Sequence, residues 1–201
     1  MADNSSISAS LVKELREKTG AGMMECKKAL EETKGNLDEA ITYLRKKGVT
    51  DAVKKSHRTT SQGVIDSYIH GGGKIGVLVE VNCETDFVAR TEEFKEMVKD
   101  LAMHICASAP VYISTDEISS ELLNKEKEIY LDKARESKKP EHIIDKIVEG
   151  QLDKFAKNIS LLSQPFVKNT DITVEEFIKE KIAKFGENIR VKRFVRFELG
   201  A

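Results

Sequence analysis

The spacing of hydrophobic residues divides the chain into helical and extended stretches. In the first fifty residues, hydrophobic positions recur every three or four residues and are interrupted by glycines, a pattern that predicts short helices with abrupt ends. Asn36 with Glu39 three residues later resembles a capping box, which favours a helix start at that point. Ser8 is a candidate N-cap for the first helix. The predicted helices run from Ser8 to Gly20, from about Gly22 to Lys34, and from Asn36 to Gly48. They form a compact three-helix bundle that is marginally stable alone.

An alternating pattern follows a stretch that has no apolar periodicity, residues 49–61, which we interpret as a linker. Residues 64–70 and 74–83 flank three consecutive glycines at 71–73, which is the signature of a hairpin. Every second residue of the later strand is apolar, so one face of that strand is expected to be buried. These residues are Ile75, Val77, Val79, Val81 and Cys83.

Helical periodicity returns after Arg90, where Thr91 is a candidate N-cap. The apolar stripe of that helix consists of Phe94, Val98, Leu101, Ala102 and Ile105. Further helices are predicted at about 119–138, 141–149, 151–163 and 173–186, and a last strand at 188–198. We therefore predict an α+β fold, in which three N-terminal helices precede a core with a small antiparallel sheet covered by helices. The predicted domains are residues 1–55 and 56–201.

Composition and charge narrow the range of partners. The formal net charge is −1, so the whole chain has no electrostatic preference for nucleic acid or for an anionic membrane. Three cysteines without a CxxC pair favour reduced, buried thiols. The sequence has no apolar run long enough to span a membrane, and its N-terminus lacks the features of a signal peptide. We expect a cytoplasmic protein.

The sequence offers little for catalysis or cofactor binding. Gly71, Gly73 and Gly76 match the dinucleotide-binding spacing, but a strand rather than a helix is predicted to follow them, so we interpret them as a hairpin turn. The histidines have no metal-ligand spacing; they are His57, His70, His104 and His142. We predict a protein that is not an enzyme and that binds no cofactor, metal or nucleotide.

The segment 84–90, Glu-Thr-Asp-Phe-Val-Ala-Arg, is the strongest candidate for a contact with another protein. A predicted strand runs directly into a predicted helix start at Thr85 and Asp86, and Phe87 follows where the backbone turns. Phe87 also lies seven residues before Phe94, a spacing that would bury both rings on one face of an unbroken helix. A helix restart at Thr91 would free Phe87 from that face. Spacing alone leaves both alternatives open.

Two further surfaces are candidates. Met23, Cys26 and Leu30 have the spacing of a core-facing stripe, whereas Met24 is rotated by about 100° toward the lysines that follow. Met24 is therefore either a partner contact or a filler at the edge of the core. In the last strand, the sequence predicts that Ile189, Val191, Val195 and Phe197 share one face. The outer face then carries Arg190, Lys192 and Arg196 with Phe194 among them, and a single-stranded nucleic-acid surface is an alternative interpretation of that face.

Several stretches resemble a known family. Thr-Gly-Ala-Gly-Met-Met within residues 11–30 and Glu-Thr-Asp-Phe-Val-Ala-Arg within residues 80–90 are the most specific, and residues 161–168 and 186–194 match as well. In this order along the chain, they resemble the bacterial elongation factor Ts family, the guanine-nucleotide exchange factors of elongation factor Tu. The chain is similar to the compact members of that family.

The resemblance implies a ubiquitin-associated-like domain in residues 1–55 and a core that contacts the nucleotide-binding domain of elongation factor Tu. It implies that Asp86 and Phe87 enter the partner near its magnesium and phosphate site. It also implies a homodimer that forms a 2:2 complex. The partner-binding residues that it implies are Thr85, Asp86, Phe87, Val88, Arg16, Met23, Met24 and Lys27. The alternative is a ubiquitin-associated-like module that binds a peptide and has no exchange activity.

Overall fold

The structure is a computed structural model that describes residues 7–136 and 140–201. Its helices are α1 (Ala9–Thr19), α2 (Met23–Glu32), α3 (Leu37–Lys55), α4 (Asp86–Ala89), α5 (Glu92–Ser108), α6 (Ser120–Arg135), α7 (Glu141–Ile159) and α8 (Val174–Phe185). Its strands are β1 (Gln62–His70), β2 (Ile75–Cys83), β3 (Pro165–Phe166), β4 (Asn169–Thr173) and β5 (Arg190–Glu198). The predicted α+β class is confirmed, with the N-terminal helices ahead of a sheet-containing core.

Contacts divide the chain into two compact units. The first unit combines the chain up to Gly63 with Asn82–Ala89 and Glu176–Arg190, and the second combines Val64–Val81, Arg90–Glu175 and Val191–Ala201. The predicted boundary between residues 55 and 56 stays a prediction.

Helices α1 to α3 pack around one small core within the first unit. Ser8 accepts a hydrogen bond from the backbone N–H of Leu11, and the Asn36 side chain accepts from Asp38 and Glu39, so both predicted caps are present. The buried side chains of this core are Val12, Leu15, Cys26, Ala29, Leu30 and Ala40. Each large apolar side chain stabilises the fold by roughly 1.5–3 kcal/mol on burial, which offsets the conformational entropy lost by the short helices.

Helix α3 does not end at Gly48 as the sequence predicts, and the first seven residues of the predicted linker 49–61 belong to it. Gly48 is buried, and a Cβ atom added to it would lie 3.0 Å from Cβ of Ala183 in α8. Glycine is therefore needed here for the close approach of α8 rather than to stop α3. Arg45 strengthens the same packing, since its guanidinium lies 3.5 Å from the Glu176 carboxylate and 3.9 Å from that of Glu180.

The main sheet has three strands in the order β1-β2-β5 and is antiparallel. The turn between β1 and β2 uses Gly71, Gly72 and Gly73, all with positive φ, which confirms the hairpin. Val77, Val79, Val81 and Cys83 of β2 are buried, as the alternating pattern predicts.

The remaining helices of the second unit are α5, α6 and α7. All five predicted apolar positions of α5 are buried. Helix α7 is continuous through Gly150, so the prediction of two helices at 141–149 and 151–163 is wrong. A glycine inside a helix costs only about 1 kcal/mol relative to alanine, too little to break a helix anchored by buried Ile144 and Val148. The predicted helix 119–138 ends at Arg135 in the structure, and its last two residues lie outside the described residues.

Candidate partner-binding site

The segment that follows β2 forms a single helical turn, α4, and exposes one large ring. Strand β2 ends at Cys83, and α4 begins three residues later at Asp86. Ala89 is buried and anchors the turn, Asp86 and Val88 are half-buried, and the Phe87 side chain is 79% exposed. Of the two alternatives for Phe87, the exposed one is therefore the one that the structure has.

The break between α4 and α5 explains this exposure. The Thr91 side chain accepts a hydrogen bond from the Phe94 backbone N–H at 3.2 Å, so Thr91 is the N-cap of α5, as predicted. Because the helix restarts there, Phe87 and Phe94 do not share a continuous helical face. Phe94 is fully buried.

A carboxylate from elsewhere in the chain holds the two residues just before α4. Oε2 of Glu187 accepts hydrogen bonds from the backbone N–H groups of Glu84 at 3.1 Å and Thr85 at 3.0 Å. Oε1 of Glu187 accepts from the Thr85 hydroxyl at 2.6 Å. The Thr85 hydroxyl oxygen accepts in turn from the Val88 N–H at 3.4 Å. Glu187 therefore fixes the residue that caps the turn carrying Phe87.

A second carboxylate completes the network. Glu84 Oε1 accepts from the Asn188 backbone N–H at 2.7 Å and lies 3.5 Å from the Arg58 guanidinium. The Asn188 side chain, 1% exposed, donates to the backbone carbonyls of Ser56 and Arg58. The network thus joins the start of α4, the segment after α8 and the segment after α3, all within the first unit.

Burial of the Cys83 thiol beside this network changes its acidity. Burial and, next in size, the negative charge of Glu187 raise the pKa of Cys83 to about 11. The thiol therefore stays protonated at neutral pH and donates to the Thr85 carbonyl at 3.1 Å. Cys26 and Cys106 are also free and buried, which confirms the prediction for all three thiols.

The other predicted contact residues lie on α1 and α2. Arg16 and Lys27 are exposed, Met23 is 52% exposed and Met24 is 64% exposed. The prediction that Met23 shares the core stripe of Cys26 and Leu30 is wrong, because Met23 is the first residue of α2 and lies beyond the edge of the core. The structure therefore presents two methionines at the surface. Arg16 lies on α1, whereas Met23, Met24 and Lys27 lie on α2.

The predicted basic face of the last strand is not a single face. Ile189 and Val191 are buried as expected, but Lys192 and Arg193 are both exposed, so the alternation shifts by one residue there. Val195 and Phe197 consequently lie exposed, whereas Phe194 and Arg196 are partly covered. Arg196 donates to the Cys106 carbonyl and pairs with Glu198, and these contacts remove it from the proposed nucleic-acid surface.

Features that would indicate chemistry are weak in the part of the chain that the structure describes. Within residues 7–136 and 140–201, no three His, Cys, Asp or Glu side chains are grouped to hold a metal ion. His104 is buried and hydrogen-bonded through both ring nitrogens, to Gln164 and to the Val167 N–H, so its role is structural. Across the same ranges, every helix is too short or too polar to cross a bilayer.

An exposed aromatic ring on an anchored turn, together with two exposed methionines on helix α2, is typical of a protein that works by binding another protein. Comparison with known proteins identifies the family of this chain. The family model described as elongation factor TS matches residues 4–201. The chain is 56% identical over 194 residues to elongation factor Ts of Heliobacterium modesticaldum, covering 96% of this chain and 90% of the relative. It is 59% identical over 195 residues to that of Geobacter metallireducens, covering 97% and 90%.

A cyanobacterial relative, elongation factor Ts of a Synechococcus strain, is 59% identical over 196 residues, which are 97% of this chain and 76% of the relative. The chain therefore belongs to the elongation factor Ts family, whose members are translation elongation factors that promote nucleotide exchange on elongation factor Tu.

The sequence identified the Thr85–Val88 turn as a contact but did not identify Glu187 and Asn188, which hold it in place. Glu187 and Asn188 lie more than a hundred residues from Glu84 and Thr85 along the chain, and no local pattern links them. One signal was available: both belong to the stretch 186–194, which carries part of the family resemblance and has no catalytic explanation.

Proposed function

We propose that this chain binds GDP-loaded elongation factor Tu in the cytoplasm and promotes GDP release by inserting Asp86 and Phe87 near the magnesium and phosphate site of the partner. The Thr85–Val88 turn and the exposed side chains of α1 and α2 form the contact. The latter are Arg16, Met23, Met24 and Lys27. The single observation that carries this proposal is the 79% exposure of Phe87 on an anchored turn. The protein itself makes and breaks no covalent bond in this process.

Linkage explains how such contacts release a nucleotide. If binding of this protein weakens the affinity of the partner for GDP, GDP must weaken the affinity for this protein by the same factor. The two ligands need not overlap, since each stabilises a different arrangement of the partner.

The energy available from Phe87 sets the size of the effect. Complete burial of a phenylalanine side chain stabilises a complex by roughly 1.5–3 kcal/mol, and 1.4 kcal/mol corresponds to about tenfold. Phe87 alone therefore accounts for about 10–100-fold, which matches the size of an interface hot spot. Any larger acceleration requires the contacts of Met24 and Arg16, or loss of magnesium from the partner.

The test measures release of a fluorescent GDP analogue from elongation factor Tu by stopped flow. Phe87→Ala is expected to slow stimulated release by about 10–100-fold. The matched control is Ile129→Ala, which truncates another exposed apolar side chain, on α6. Full activity of Phe87→Ala would remove the inserted ring from the mechanism. Equal losses in both variants would point to a general effect of surface truncation.

We further propose that two copies pair through the open face of the three-stranded sheet, giving a 2:2 complex with elongation factor Tu. This face exposes an apolar group made of Ile65, Ile69, Leu78, Val195 and Phe197. Several large exposed apolar side chains on one sheet face favour a surface that binds a partner. Beside these side chains, Arg193 Nε lies 2.7 Å from Glu80 Oε2, so the face also carries charges of both signs. A two-fold axis would place each charge near its opposite, as a self-complementary interface requires.

Sedimentation analysis tests the pairing. Leu78→Asp places a charge in the middle of the face and is expected to give a monomer, whereas Ile129→Asp on α6 should keep the wild-type mass. A monomeric wild-type protein at micromolar concentration would contradict the proposal.

A further inference from the structure

The turn that carries Phe87 is too short to be stable by its own hydrogen bonds. Helix α4 has four residues, and an isolated helix shorter than about 12 residues is marginal in water. Its conformation must therefore be held by the surrounding structure.

Glu187 holds the two residues that lead into α4. A helix start leaves backbone N–H groups without partners, and Glu187 accepts from two N–H groups just before α4 and from the Thr85 hydroxyl. Hydrogen bonds to a carboxylate are shorter and stronger than those between neutral groups. Since the Thr85 hydroxyl donates to Glu187, its oxygen lone pairs remain available to accept from the Val88 N–H.

We infer that Glu187 is a positioning residue for nucleotide exchange: its carboxylate presets the Thr85–Val88 turn so that Phe87 already points outward before the partner arrives. This inference rests on the function proposed above. Without the carboxylate, the turn samples other conformations, and the competent one must be selected during binding, which lowers the apparent affinity by its population. Glu187 does not touch the partner in this account and acts only through the turn.

Glu84 and Asn188 support the same arrangement from the other side. Glu84 accepts from the Asn188 N–H, while Glu187 accepts from the Glu84 N–H, so the two segments are joined by reciprocal carboxylate-to-backbone bonds. The Asn188 side chain connects them to the segment after α3. Glu187 is nevertheless the only one of these three side chains that contacts the Thr85 hydroxyl among the hydrogen bonds described for this network.

Glu187→Gln is the informative substitution. The amide keeps one acceptor oxygen and replaces the other with an NH₂ donor, so either the Thr85 hydroxyl or the two backbone N–H groups lose their acceptor. We expect the second-order rate constant of stimulated GDP release to fall by about tenfold. Thr85→Val should produce a similar loss, and Thr85→Ser, which restores the hydroxyl, should recover most of it.

A double substitution tests whether both residues act through the same turn. The combined loss in Glu187→Gln with Thr85→Val should be well short of the product of the single losses, since the two residues share one hydrogen bond. If Glu187→Gln does not fold, the comparison of Thr85→Val with Thr85→Ser carries the test, and equal rates for those two variants would overturn the inference.

Thermal melting of each variant separates positioning from general stability. Val148→Ala removes buried volume from the α6–α7 core of the second unit and serves as the destabilised control. It should melt at a lower temperature with an unchanged rate constant. Any one of the following results would overturn the inference. Glu187→Gln could keep the wild-type rate constant, the losses of rate constant could multiply in the double variant, or Val148→Ala could lose as much of the rate constant as Glu187→Gln.

Phe87→Ala in the same assay distinguishes failure of the positioning role of Glu187 from failure of the proposed function. If stimulated GDP release is slow with Phe87→Ala but not with Glu187→Gln, only the positioning role is contradicted. If Phe87→Ala is fully active, the proposed function fails, and a slow Glu187→Gln would then show that Glu187 does not act through Phe87.

Discussion

Phe87 in α4 and Phe94 in α5 are seven residues apart, the spacing that places two side chains on one helical face, yet one is 79% exposed and the other is fully buried. The difference comes from Thr91, which caps α5 and separates it from the turn before it. The comparison shows that a single capping residue decides whether a hydrophobic side chain contributes to the core or to a surface. It also means that Phe87 and Phe94 should respond to mutation in opposite ways.

The largest expected effect is on the buried ring. Phe94→Ala should lower the free energy of unfolding by about 3–5 kcal/mol, because it removes buried apolar surface and leaves a cavity. Urea denaturation followed by circular dichroism measures this loss. A change below about 1 kcal/mol would contradict the assignment of Phe94 to the core.

Removal of the cap should have a smaller effect. Thr91→Ala leaves the Phe94 N–H without its side-chain acceptor and should cost about 1 kcal/mol of unfolding free energy. Thr91→Ser is the control, since it keeps the hydroxyl and should remain close to wild type. If the Thr91→Ala and Thr91→Ser proteins are equally stable, the side-chain cap does not stabilise the start of α5.

The next effect is a loss of stability at acid pH, and it arises from His104 on the buried face of α5. Burial lowers the pKa of His104, although its hydrogen bond to Gln164 raises it by less. The unfolded chain therefore takes up a proton near pH 6.5 while the folded chain stays neutral. Stability contributed by neutral His104 is complete above that pH and is lost as the pH falls toward the lower folded-state pKa.

Urea denaturation between pH 8 and pH 5 tests this dependence. Protonation would also disrupt the bond from the Val167 N–H to Nδ1, because a protonated ring has no acceptor there. His104→Gln should show a shallower decline in acid than wild type, whereas His142→Gln, at an exposed position, should keep the wild-type decline. Parallel curves for wild type and His104→Gln would contradict the assignment.

The smallest expected effect on stability is at Phe87. Because the ring is exposed, Phe87→Ala should change the free energy of unfolding by no more than about 0.5 kcal/mol. Thermal and urea denaturation measure it beside Phe94→Ala. A loss of several kcal/mol would show that the ring packs inside its own subunit and would reverse the comparison.

Local signals predicted much of the fold because their causes are local. Ser8, Asn36 and Thr91 are caps whose side chains bond to N–H groups two or three residues away, so the sequence contains both partners. The alternation along β2 is likewise a property of one strand.

Predictions failed where the cause lies elsewhere in the chain. Gly48 was interpreted as a helix stop because the approach of Ala183 is not visible in the sequence near it. Lys192 and Arg193 of β5 are both exposed, which a strict alternation along the sequence does not predict.

The candidate site was likewise predictable only where its signals are local. The change from strand to helix at Glu84–Arg90 identified the turn, but the choice between a buried and an exposed Phe87 needed the structure. Glu187 was missed because a hydrogen bond between residues 102 positions apart leaves no periodic trace.

The exposure of Phe87 also makes this position suitable for an optical reporter. The chain contains no tryptophan, so Phe87→Trp would introduce the sole indole emitter of the protein. Its fluorescence maximum would lie at long wavelength in water and shift to the blue when the ring enters an apolar cleft. Docking onto elongation factor Tu could then be followed in real time without an attached dye.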